Sequence, residues 1–161
     1  MTARTVRHVE ASPGLDHLRR GFGAVDVSPE IVRRGRELYY GFTEWVDNQI
    51  GMLLETLRKS PFADNTVIVY TTDHGENMGE HGLWWKNCMF EHAARVPLVV
   101  EWPERWKGGQ RRAGACSLVD VVKTIAQIGG AKVPADWNGD SMVPWLDNPQ
   151  TRWKDKAVSE Y

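Results

Sequence analysis

Residues 66–86 read TVIVYTTDHGENMGEHGLWWK, and the change of character inside this stretch decides the fold. Residues 66–70 are apolar and β-branched without alternation, the pattern of a strand covered on both faces in a parallel sheet. Residues 71–86 are mostly polar and punctuated by glycine. In open α/β sheets ligands gather beyond the carboxyl ends of strands, which is where Asp73 and His74 fall. A carboxylate and a neutral imidazole, adjacent on a tight turn, can converge on one divalent cation. Oxygen ligands suit Ca²⁺, Mg²⁺ or Mn²⁺, and the imidazole tilts the choice toward Mn²⁺ or another transition metal. Gly75 allows the backbone to come close or to take a positive φ. Taken alone, Asp-His-Gly reads first as an ordinary turn.

The rest of the stretch holds further polar candidates. Lys86 carries an ammonium able to donate to a tetrahedral oxyanion. Beside two tryptophans it also reads as a surface side chain laying its stem on apolar rings. His81, between acidic and glycine residues, is a candidate substrate-binding group, proton donor or loop brace. Glu76 and Glu80 read as solvated turn charges.

Working outward, Ser28-Pro29-Glu30 is a helix start: a capping serine, a proline suited to the first helical position and an acid at the positive end. From there to Lys59 the apolar residues Leu38, Phe42, Trp45, Ile50, Leu53 and Leu57 step at helical intervals. Gly35, Gly41 and Gly51 interrupt this pattern and mark close packing or a kink. Residues 96–100 make a second strand, with Pro97 near its start. Leu118, Val121, Val122, Ile125 and Ile128 form a helical stripe over 117–128, ended by Gly129-Gly130. Residues 1–28 show no clean period and read as irregular. The last five residues, AVSEY, look like the start of a strand, so the chain is expected to be a fragment.

Composition limits the function classes. The chain has 161 residues, 42% hydrophobic and 25% charged, with a net charge of −1. That balance suits a globular domain and creates no global field for nucleic acid or an anionic membrane. No apolar run is long enough for a transmembrane helix, and residues 1–14 have no signal-peptide core, leaving a cytoplasmic or periplasmic location. Cys88 and Cys116 sit in neither a CxxC pair nor a zinc spacing and are expected as reduced, partly buried thiols. The eight tryptophans are expected to line a cleft or a subunit contact.

The ordered series TVIVYTTDHGENMGEHGLWWKNCMFEHAARVPLVV resembles the sulfatase family of the alkaline phosphatase superfamily. So do Tyr40, Asp47 and Gly51 upstream and SLVDVVKTIAQIGGAKVPADWNGDSMVPWL downstream, so the resemblance covers about residues 30–161. It implies an α/β fold: part of an alkaline-phosphatase-like sandwich with a mostly parallel sheet flanked by helices, in one partial domain over 1–161. It implies that Asp73 and His74 ligate one divalent metal ion, Ca²⁺ or Mn²⁺. Lys86 would be catalytic and substrate-binding, contacting a sulfate or leaving-group oxygen. Asp47 and Asp120 would be structural. The family's Cys/Ser-x-Pro-x-Arg motif, source of its formylglycine nucleophile, is absent here and is expected on N-terminal sequence outside this chain.

The expected substrate is a small-molecule sulfate ester, and the chain alone is expected to be inactive. A phosphonate monoester or phosphodiester hydrolase of the same superfamily is the close alternative. A non-catalytic assembly unit is another, pairing with a second copy or a complementing N-terminal segment. No nucleic-acid or membrane partner is expected.

Overall fold

The structure is a computed structural model and describes residues 13–21 and 27–158. In chain order it contains helices α1 (Pro13–Gly21) and α2 (Pro29–Arg58), then strands β1 (Ile68–Thr71), β2 (Asn77–Met78) and β3 (Trp84–Trp85). Helix α3 (Glu91–Ala94), strand β4 (Leu98–Glu101) and helices α4 (Leu118–Ile128) and α5 (Val143–Asp147) complete the order. They fall into two compact units, one holding α1, α2, β2, β3 and α3, the other β1, β4, α4 and α5.

In the first unit, α1 corrects the expectation that residues 1–28 are irregular. Asp16 in its first turn and Arg19 and Arg20 in its last complement the helix dipole, and Arg20 Nε donates to Asp16 Oδ2 at 2.7 Å. Residues 1–12 and 22–26 lie outside the described residues. Helix α2 starts as its sequence dictates: Ser28 is extended, and its Oγ accepts from Ile31 N at 3.3 Å. The helix runs 30 residues yet buries none of them fully. Its apolar stripe is largely uncovered, with Leu38 60%, Phe42 62%, Trp45 56% and Leu53 71% exposed. Gly35 is a point of close packing, since a Cβ there would stand 2.7 Å from the Trp84 ring. At Gly41 and Gly51 a Cβ would meet nothing within 4 Å.

In the second unit β1 pairs with β4 in antiparallel register, Ile68 opposite Glu101 and Thr71 opposite Leu98. The hairpin of β2 and β3 is antiparallel too. The expectation of a mostly parallel sheet is therefore corrected for the described residues. A parallel neighbour needs a crossover that carries the chain back to the starting edge. Residues 72–97 instead hold a hairpin and a four-residue helix, and they deliver Leu98 opposite the end of β1. The strand expected at the end of the chain does not form at residues 157–158, and residues 159–161 lie outside the described residues.

The core of this unit gathers Val121, Met142, Val143 and Trp145 around a buried carboxylate. Asp120 caps its own helix by accepting from Ser117 N at 2.9 Å, and also accepts from Asp140 N at 2.7 Å and Lys154 Nζ at 2.5 Å. Thr124, one turn on, donates to Asp120 O and accepts from Met142 N. A Cβ at Gly139 would lie 2.7 Å from the Val119 carbonyl, so only glycine lets this loop approach α4. Several tryptophans pack against one another within the second unit. Trp145 and Trp153 stack at 4.9 Å, while Trp102 and Trp106 meet edge-on at 5.4 Å. Arg105 reaches Asp147 with two hydrogen bonds, and Trp106 Nε1 donates to the same carboxylate.

Burial alone pushes the Asp120 carboxyl up, but hydrogen bonds from Lys154, Ser117 and Asp140 outweigh it and hold it below the usual range. A depressed carboxyl stabilises the fold above its unfolded value of about 3.9, and that contribution fades as pH falls through the folded value. Urea unfolding near neutral pH should therefore show Asp120→Asn losing about 3 kcal/mol. The variant should also change less than the wild type between about pH 6 and pH 2. Equal acid sensitivity in both proteins would place the acid-labile group elsewhere. A second expectation separates two helix glycines: Gly41→Ala should gain roughly 0.5–1 kcal/mol. Gly35→Ala, which drives a methyl into Trp84, should lose stability in the same unfolding series.

Candidate active site

His74 is held by its backbone neighbours. Gly75 N donates to Ala93 O at 2.8 Å and Glu76 N to His92 O at 2.9 Å, tying the turn to α3. A Cβ at residue 75 would stand 1.9 Å from the His92 carbonyl oxygen, so the glycine is required for close approach. The His74 ring is then oriented by its own next residue. A carbonyl only accepts, so the 2.7 Å contact between Nδ1 and Gly75 O puts the ring proton on Nδ1. Nε2 is left with its lone pair, which accepts from Lys86 Nζ at 2.7 Å.

Lys86 reaches this position from the end of the β2–β3 hairpin. Trp85, just before it, takes φ 69°, an uncommon conformation for a side chain of that size. The fully buried Asn77 supports it, with Nδ2 donating to Trp85 O at 2.6 Å and to Cys88 Sγ at 3.2 Å. Cys88 N donates back to Lys86 O at 2.7 Å. The hairpin is docked on α2 through Arg36, whose Nε donates to Met78 O and whose terminal nitrogen donates to Glu80 Oε1, both at 2.7 Å. Glu80 also accepts from Met78 N at 2.7 Å. Reading Glu80 as a solvated turn charge is thereby corrected: the long-range partner on α2 captures it.

His81 takes φ 55° and stacks on Phe90 with ring centroids 4.1 Å apart, the geometry of a loop brace. Asp73 is exposed, two residues beyond β1, and its Oδ1 accepts from Thr72 Oγ1 at 3.2 Å. Asp47 is exposed on α2, while Asp120 is the buried structural acid of the second unit. Both cysteines are free and partly buried, as expected. Burial first, then the Asp120 charge, pushes the Cys116 thiol up, which makes it a poor nucleophile. Arg36 and Asn77 are supporting residues that sequence reasoning misses. Asn77 lies inside the quoted stretch, but nothing local marks Arg36.

Among the described residues no group of three or more His, Cys, Asp or Glu side chains is placed to hold a metal ion. The donor chemistry at His74 nevertheless suits a ligand: a neutral imidazole whose Nδ1–H is engaged by Gly75 O and whose basic Nε2 accepts from Lys86 Nζ.

A family model described as Sulfatase matches residues 7–131. The chain belongs to the sulfatase family. The match begins upstream of residue 30, where the recognisable motifs start. The N-acetylglucosamine-6-O-sulfatase of Bacteroides thetaiotaomicron is 38% identical over 119 residues, 72% of this chain and 21% of that protein. The choline-sulfatase of Rhizobium meliloti is 35% identical over 122 residues, 76% of this chain and 22% of that protein. Among solved structures, the phosphonate monoester hydrolase of Silicibacter pomeroyi superposes with a TM-score of 0.76 at 27% identity. That superposition covers 92% of this chain and 30% of the hydrolase. The likeness to both kinds of enzyme bears out the α/β, alkaline-phosphatase-superfamily fold. The chain spans about a fifth of the length of these two curated relatives.

The support under Lys86 can be tested separately. Asn77→Ala removes two part-buried hydrogen bonds of a buried amide and should cost about 2 kcal/mol. Hydrogen exchange should quicken across residues 74–88 more than in α4. Unchanged protection around Lys86 would show that Asn77 does not hold this loop.

Proposed function

We propose that this chain contributes half of the catalytic site of a sulfate ester hydrolase: two metal ligands and the cation that meets the substrate anion. The observation carrying this reading is the 2.7 Å contact of Lys86 Nζ with His74 Nε2, which brings a mobile ammonium to a ligand-competent imidazole within a sulfatase sequence. Asp73 would supply a carboxylate oxygen and His74 its Nε2 to a divalent ion, Ca²⁺ or Mn²⁺. Such an ion polarises a nucleophile and a sulfate oxygen. Lys86 would bind a sulfate or leaving-group oxygen and stabilise the charge that grows there. His81 is a lesser candidate for substrate contact, since its ring is engaged with Phe90.

The nucleophile, a formylglycine, would come from a Cys/Ser-x-Pro-x-Arg segment, which this chain does not contain. The uncovered apolar stripe of α2 supports a complementing sulfatase segment as partner, with self-association the other occupant. The substrate would be a small-molecule sulfate ester. The likeness to a phosphonate monoester hydrolase over 92% of the chain favours a phosphonate or phosphate ester as the second reading.

Assay of the purified 161-residue chain with an aryl sulfate and an aryl phosphonate monoester, plus Ca²⁺ or Mn²⁺, should give no turnover. In an assembled enzyme carrying this segment together with the nucleophile segment, Lys86→Ala should lower kcat/KM by about 10²–10³. Turnover by the chain alone, abolished by Lys86→Ala, would overturn the half-site reading. Preference for the phosphonate in the assembled enzyme would move the assignment to the second one.

A further inference from the structure

We infer that Lys86 and the divalent ion compete for a single lone pair, so that ligation at His74 is what releases Lys86 toward the substrate anion. This rests on the metal assignment proposed for Asp73 and His74 and adds a coupling between its two halves.

Electron pairs set the limit. A neutral imidazole has one basic nitrogen. With Nδ1–H given to Gly75 O at 2.7 Å, that nitrogen in His74 is Nε2. Lys86 Nζ donates to it at 2.7 Å. The lone pair can accept an ammonium hydrogen or coordinate a cation, and it cannot do both. Of the two partners, the lysine is the one able to move. His74 is fixed by the two backbone hydrogen bonds of Gly75 and Glu76 to α3, at a position where no Cβ fits at residue 75. Lys86 is exposed and sits at the end of a flexible four-carbon stem. Each ion that binds must displace a hydrogen bond, and each lysine so displaced has a donor to offer an anion. The chain thereby links filling of the metal position to readiness of the anion-binding group.

Mn²⁺ titration calorimetry on the full chain tests this with a readout independent of activity. Lys86→Met should tighten Mn²⁺ binding about fivefold or more, as expected for loss of one competing charge-assisted hydrogen bond. Plain charge repulsion would tighten it too, but screening separates the causes. The gain should persist between about 0.15 M and about 1 M salt, where repulsion between exposed charges is largely screened. A second readout needs no lysine variant: the Lys86 Cε resonance should shift when Ca²⁺ is added to wild type and stay still in His74→Ala. Unchanged or weaker Mn²⁺ affinity in Lys86→Met, or a gain that disappears at high salt, overturns the competition alone, provided His74→Ala abolishes binding. If His74→Ala binds as tightly as wild type, or if no protein binds Mn²⁺, the metal assignment falls and the competition with it.

Discussion

The arrangement around the candidate site depends on one steric constraint, the approach of the His92 carbonyl oxygen to the α-carbon of residue 75. A methyl group there would stand 1.9 Å from that oxygen. Glycine at 75 therefore permits a pair of backbone hydrogen bonds between the turn and α3, and these carry His74 with them. The constraint is one of space: Gly75 is not among the positive-φ glycines. Orientation of the imidazole, the tautomer it adopts and its contact with Lys86 all depend on a turn pinned in this way.

Lys86 is held from the other side by a hairpin that has little regular ladder of its own. Its two strands are two residues each. A ribbon that short is not stable alone, and α2 supplies what is lacking. Val32, Gly35 and Arg36 lie on one face of the helix and meet Gly79, Trp84 and the Met78–Glu80 segment. Helix α2 thus uses its small and basic face to carry the site loop. Its apolar stripe is exposed in the chain by itself.

The second unit is organised by a charge and not by a large apolar core. Fully buried Asp120 joins the start of α4, the loop at Asp140 and the distant Lys154. A carboxylate in that position is tolerable only because each approaching group donates a hydrogen bond. The unit's two-stranded ladder leaves Tyr70 and Val99 about half exposed.

Much of this was legible in the sequence, and the reasons divide along physical lines. Helices α2 and α4 were readable because 3.6-residue periodicity in both, and the cap at Ser28-Pro29, are local properties. The family was readable because Asp73, His74 and Lys86 stand in a long ordered series whose spacing needs no coordinates. Strand direction was not readable: β-branched runs specify an extended backbone, and only the path of residues 72–97 decides which way the partner runs. The role of Glu80 was likewise hidden, since its partner Arg36 lies 44 positions away and no pattern near either residue announces the other. Nor could periodicity say which face of α2 would be covered. The sequence by itself determined the elements and the chemistry available to them. Tertiary structure alone decided which lone pair meets which ammonium, because that contact depends on where two separate backbone segments come to rest.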